Sequence, residues 1–299
     1  MELTLHCFGA STPCGEALRN LTRTNFVGYS RNPSGVSSWL HHADLNDPAD
    51  FHPAAQLPSL AVWISFSPIW LFASFLDRLA TYHPERLQGL RGVIACSSSS
   101  TITKRFAANR FDRQLVDRLI TAENKVLMTC RGLSVPCRVL RPTMIYGKIG
   151  VNEDNNLSLI LQQMRRFPFL PLPADSGLRQ PIHASQLASV AFRLAHQLDH
   201  SLWKPSLPEL ISLGGDTTLT YREMIIALQQ CQSFGDPARH CKILSIPNRL
   251  FFLLAAPLLL RSPKAFEAVL RMGANLSGFT PCHQFLGSEP QRFPVLPLA

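Results

Sequence analysis

Short apolar runs alternate with amphipathic segments through most of this chain. Residues 3–8 form an apolar run closed by Gly9, and a run bounded by a turn residue predicts a strand. Residues 16–23 then read as a helix, 26–30 as a second strand, 39–44 as a short third and 61–66 as a buried fourth. A helix over 70–82 and a fifth strand over 92–96 come next, the strand ending in Ser97-Ser-Ser-Ser100. Between 110 and 130, Phe111, Leu115, Leu119, Ala122 and Val126 recur at three- and four-residue spacing, which is the helical period. A sixth strand over 135–140 precedes a helix over 157–166 and a Pro-rich loop over 168–173. The pattern closes with a helix over 185–196 opened by Ser185 as N-cap, a strand over 210–213 and a helix over 220–230. Strand and helix in alternation predict an α/β fold, a parallel sheet wrapped by helices.

Composition narrows the class. A hydrophobic content of 46% against 16% charged residues fits a folded globular chain and excludes a disordered one. The formal net charge of +9 favours anionic partners, which include nucleotides, nucleic acid and membrane lipid. The cations are scattered and no nucleic-acid module is present, so a solvated basic surface is expected and nucleic acid is not. The cysteines (Cys7, Cys14, Cys96, Cys130, Cys137, Cys231, Cys241, Cys282) contain no CxxC pair, and several lie in apolar runs. They read as small reduced hydrophobes of a cytoplasmic protein, and no His/Cys grouping has metal-ligand spacing. The first residues lack the basic start and long apolar core of a signal peptide. The apolar stretches 60–76 and 250–260 both fall short of the ~20 residues that span a bilayer.

The chemistry starts at Gly9-Ala-Ser-Thr-Pro-Cys-Gly15, a turn between the first strand and the first helix. In that place backbone amides and the positive end of the helix dipole face an approaching pyrophosphate. Gly9, Ser11, Thr12, Cys14 and Gly15 are therefore candidate dinucleotide ligands, although Ser11 and Cys14 stand where glycine would approach phosphate most easily. Arg31 comes directly after the second strand, whose end carries neither Asp nor Glu. A guanidinium there can grip a 2′-phosphate, so NADP is favoured over NAD, which stays open. Asp44 and Leu45 suit an adenine contact, and Ser65 at the end of the fourth strand is counted with them. A purely structural turn and a surface arginine are the plainer alternatives.

These features occur in order with Arg141-Pro-Thr-Met-Ile-Tyr-Gly147, Pro181-Ile-His183 and Leu213-Gly-Gly-Asp-Thr-Thr-Leu-Thr-Tyr-Arg-Glu223. Together they resemble an extended or atypical short-chain dehydrogenase/reductase of the NAD(P)-dependent epimerase/dehydratase branch, over roughly residues 1–250. The resemblance implies a Rossmann-type doubly wound sheet (1–147 with 182–213) and a smaller C-terminal substrate lobe (148–181 with 214–299). It also implies a small-molecule substrate such as a nucleotide sugar, Pro142 and Met144 near the nicotinamide, Ser98 or Ser99 on the substrate hydroxyl, and a homodimer.

One departure bears on the chemistry. The family moves a proton with a tyrosine four residues before a lysine, and none of Tyr29, Tyr82, Tyr146 and Tyr221 lies in the helix after the fifth strand. If Glu123 is the family's glutamate, Leu115 and Leu119 hold the tyrosine and lysine positions. If Lys125 is the lysine, Thr121 replaces the tyrosine. Lys104 and His183 are alternative acid/base candidates. Two readings remain: an oxidoreductase or epimerase-like enzyme with a non-standard relay, or a non-catalytic NADP-binding sensor, regulator or assembly subunit. The apolar run 246–260 reads as core or a subunit contact, with a peripheral membrane patch beside Arg249 and Arg261 as the alternative.

Overall fold

The computed structural model describes residues 3–22, 25–33, 38–53, 60–107, 109–198, 207–257, 260 and 262–295. Arg23, Leu258, Leu259 and Arg261, which belong to segments singled out in the sequence, lie outside the described residues. The first run is strand β1 (Thr4–Phe8), and helix α1 (Pro13–Thr22) comes after the glycine turn. α1 starts three residues before the expected position because Pro13 takes the first helical place, where a missing N–H costs nothing. β2 (Phe26–Ser30), β3 (Leu40–His42), β4 (Ala61–Ser65), α2 (Ile69–Tyr82) and β5 (Leu90–Cys96) come next. A one-turn helix (Ser100–Thr103) leads to α3 (Arg110–Gly132), capped by Asn109. The Asn109 side chain accepts from the Asp112 amide at 2.8 Å. β6 is Cys137–Pro142.

Beyond β6 come α4 (Leu157–Arg166), β7 (Phe169–Pro173), α5 (Ala184–Gln197), β8 (Leu210–Gly214), α6 (Tyr221–Gln230) and β9 (Lys242–Ile246). The chain ends in α7 (Asn248–Ala255), α8 (Pro263–Leu270), β10 (Thr280–Pro281) and α9 (Cys282–Leu286). Eight strands form one parallel sheet in the order β10-β8-β6-β5-β4-β1-β2-β3. The order reverses between β1 and β4, which opens a crevice at the carboxyl ends of those strands.

Each face of the sheet has its own core. α1 and α5 cover one side with Leu18, Leu187, Val190 and Ala191 against Leu5, Ile64 and Ile94. α2 and α3 cover the other with Phe72, Phe75, Leu119 and Val126 against Phe8, Trp63 and Val93. A third cluster lies outside the sheet, built from Tyr146, Leu157, Met164, Leu172, Met224, Ile225 and Leu228.

Four expectations from the sequence are overturned by this fold. Residues 168–173 are not a loop, because β7 pairs in parallel with β9, Phe169 opposite Lys242. The α5 N-cap is His183 rather than Ser185, its side chain bonding the Ser185 amide while Gln186 reaches back to the His183 N–H. β10 and α9 come from the stretch assigned to the substrate lobe yet join the main sheet, Leu213 opposite Thr280. Of the run 246–260, read as core or a subunit contact, the core part fails over α7, where only Phe251 is buried and Leu250, Leu253 and Leu254 are exposed.

Candidate functional site

The crevice beside β1 holds a cavity of about 350 Å³. It is lined by Gly9, Ser11 and Thr12 of the first turn, by Ser30, Arg31 and Asn32 after β2, by Asp44, Leu45 and Asn46 after β3, and by Phe66, Ser67 and Pro68 after β4. Gly9 has φ 78°, and a Cβ there would sit 2.8 Å from the Ser67 amide nitrogen. Gly15 is needed for packing, since its Cβ would come within 2.5 Å of the Ala10 Cα. Thr12 holds the turn together: its hydroxyl donates to the Gly9 carbonyl at 2.8 Å and accepts from the Gly15 amide at 3.1 Å. Ser11 and Ser30 hydroxyls bond across the cavity floor at 3.1 Å.

Arg31 lines this cavity as a cation, opposite in charge to Asp44. Its side chain is exposed at the end of β2 and makes no ion pair among the described residues. Asp44 lies near it, with a carboxyl held below the usual range by hydrogen bonds from the Asn46 amide and side chain and by the Arg31 charge. Beneath the turn, burial pushes the Cys7 and Cys14 thiols far up and that of Cys96 up to about 12. These sulfurs are protonated apolar filling.

The structure thus brings Gly9, Ser11, Thr12, Arg31, Asp44 and Leu45 to one cavity. Cys14 and Gly15 support it from below, both buried in α1. Ser65 is buried inside β4 and its hydroxyl has no partner among the described residues; the lining comes from the three residues after it. Pro142 and Met144 are not among the cavity's lining residues; Met144 packs against the third apolar cluster and Pro142 meets the serine cluster. There the Ser99 amide donates to the Pro142 carbonyl at 2.9 Å, and Ser98 bonds Ser100.

Of the candidate relay residues on α3, neither Lys125 nor Thr121 faces that cluster. Lys125 points to α2, its Nζ 2.8 Å from Asp77, and Thr121 is exposed. The two are not brought to Ser98 and Ser99. Leu115 and Leu119 lie against the sheet-side apolar core. One turn on, buried Glu123 accepts from the Ser97 hydroxyl and from Arg141, with Nε at 3.0 Å. Lys104 is held by buried Asp112 at 2.7 Å. His183 is spent on capping α5, and burial lowers its pKa. Sequence reasoning missed Ser30, Asn32, Phe66, Ser67 and Pro68, although residues just past each strand end at a switch point are where ligands bind.

Neither a family model nor a curated protein sequence matches the chain. Solved structures do. UDP-glucose 4-epimerase from Brucella ovis, in complex with NAD, superposes with a TM-score of 0.57 at 16% identity, over 86% of this chain and 92% of that one. For UDP-glucuronic acid 4-epimerase from Bacillus cereus, with UDP-glucuronic acid and NAD, the values are 0.60, 13%, 97% and 94%. For an epimerase from Methanothermobacter thermautotrophicus they are 0.64, 12%, 96% and 87%. The chain has the extended short-chain dehydrogenase/reductase fold. At the cavity beside β1, left-handed Gly9 leaves backbone open to a ligand, and the Arg31 guanidinium at the lining makes no ion pair among the described residues.

Proposed function

We propose that the protein binds a nicotinamide dinucleotide, NADP in preference to NAD, and works as a binding protein: a redox sensor, regulator or assembly subunit. The observation that carries this reading is the cavity at the β1/β4 crossing lined by Arg31, which makes no ion pair among the described residues, with Ser30 and Asn32 beside it. No carboxylate ends β2 to compete for a ribose 2′-hydroxyl, and hydroxyl, amide and guanidinium groups suit a 2′-phosphate. A bound nicotinamide supplies reversible hydride transfer. The chain's own part would be orientation, because Leu115 and Leu119 can neither give nor take the proton that must accompany the hydride.

An epimerase- or dehydratase-like enzyme acting on a nucleotide sugar is the second reading. It is favoured by Ser97, whose hydroxyl links the β5 end to buried Glu123 and so puts a carboxylate one bond from the serine cluster. Two measurements decide between them. Calorimetry should give binding of NADPH, and Arg31→Asp should weaken it tenfold or more, the equivalent of one charge-assisted contact of ~1.5–3 kcal/mol. NADH binding should change much less; equal loss of both would remove the case for NADP. Incubation with UDP-glucose and UDP-glucuronic acid should produce no interconverted sugar and no NADPH consumption. Turnover would hand the site to the enzyme reading.

A further inference from the structure

The apolar run read from the sequence as core or a subunit contact, or else a membrane patch, has exposed leucines over α7. α7 leaves the β7/β9 ribbon with its single buried residue, Phe251, turned inward. Leu253 is 69% exposed, Leu254 64% and Leu250 48%, and Leu260 beyond the helix is exposed as well. On the ribbon beneath, Phe169 and Leu244 are also exposed. A monomer does not leave a row of leucines in water without use.

Charge says what covers it. From residue 237 to 266 the chain carries Arg239, Lys242, Arg249, Arg261 and Lys264 and no Asp or Glu. The next carboxylate along the chain, Glu267, is already bound by Arg271 and by the Asn109 amide. Asp175 is the acid at the helix foot, where its main chain bonds the Asn248 side chain. The Asn109 contact ties α8 to the 105–111 segment, which adds exposed Phe106 and Phe111, each under its own neighbouring arginine. Exposed apolar side chains with exposed Arg249 on the same helix and Lys242 on the strand before it match an anionic bilayer surface, where leucine and phenylalanine enter the headgroup boundary and Lys/Arg meet lipid phosphate. A protein partner of ordinary composition would need an acidic rim around an apolar centre. Among the described residues no helix is long and apolar enough to cross a membrane, so the contact is peripheral.

We infer that α7, with Arg249 on it and no acid in the sequence from 237 to 266, docks the protein on a membrane surface rich in anionic lipid. Flotation with vesicles of phosphatidylcholine containing a third phosphatidylglycerol tests this, with phosphatidylcholine alone as the reference. The full chain should float with the anionic vesicles at low salt, be released as salt rises, and stay unbound with the neutral ones. Leu253→Asp with Leu254→Asp should reduce binding by about tenfold or more. Arg249→Glu should reduce it by about fivefold or more without touching the apolar row. NADPH titration of the same variants should be unchanged, which separates this inference from the dinucleotide reading. It is overturned by no flotation at low salt, by equal flotation of wild type and both variants, or by a wild-type dimer that Leu253→Asp turns into a monomer.

Discussion

Two glycines show how far single residues constrain this molecule. At Gly15 the space for a methyl group is taken by backbone, Ala10 Cα and the Gly9 carbonyl oxygen, neither of which can swing aside. At Gly132, at the end of α3, nothing lies within 4 Å. Gly15→Ala should therefore cost about 1–3 kcal/mol of overpacking, read as a lower denaturation midpoint. Gly132→Ala should be neutral or stabilising by about 0.5–1 kcal/mol. A Gly15→Ala protein as stable as wild type would mean that α1 does not press on the turn. His6 gives a pH signature. Burial first, and the neighbouring His41 charge second, lower its pKa to about 4, and its Nε2 has no partner to accept a proton's bond. The unfolded chain thus binds a proton that the folded one refuses. His6's contribution is full above pH ~6.5 and is lost as pH falls toward ~4, a change on the order of 3 kcal/mol. Urea midpoints at about pH 7 and about pH 4.5 should fall further apart for wild type than for His6→Phe; an identical pH response in the two would refute the assignment.

At the scale of elements, α3 is tied to the C-terminal segment by one buried carboxylate. Burial alone would raise the Asp112 pKa, but hydrogen bonds from Lys104, Asn109 and Arg271 outweigh it and hold the carboxyl well below the usual range. A depressed carboxylate stabilises above its unfolded value of about 3.9 and loses that contribution as pH falls below it. Asp112→Asn should cost about 3 kcal/mol, the low end for removing one partner of a buried pair because Lys104 and Arg271 keep some solvent, and it should flatten the acid limb of the stability curve. A loss under half that size, with an unchanged acid limb, would show that the cluster is not a clamp. The elements themselves were legible where an apolar run has a turn residue at each end, as for β1, β2, β4 and α2. They were illegible where pairing is distant. β7 and β9 are some 70 residues apart, and prolines at 168, 171 and 173 read locally as loop, although an edge strand tolerates them. α7 failed for a different reason: a run apolar on all sides has no period from which to tell an exposed face from a buried one.

The whole molecule joins a cavity that suits a dinucleotide to a scaffold without the usual proton donor. The glycine turn and Arg31 could be read from the chain because the first β–α corner is local, whereas Phe66, Ser67 and Pro68 enter only because β4 lies next to β1 in the sheet. The sequence offers Leu115 and Leu119, or Thr121 and Lys125, at the relay positions of α3, and the structure adds that Lys125 is engaged by Asp77. Binding of a nicotinamide dinucleotide should show in the stability of the fold. A ligand that binds only the folded state at a hundred times its Kd adds ~2.7 kcal/mol, which for a chain of this length is about 4 °C in melting temperature. NADP at that excess should raise the melting temperature by this amount, and NAD at the same concentration should raise it less. In Arg31→Asp the two cofactors should give equal, smaller shifts, since the variant loses the 2′-phosphate contact and keeps the turn. A melting temperature unmoved by either cofactor would leave the cavity beside β1 without a nicotinamide ligand.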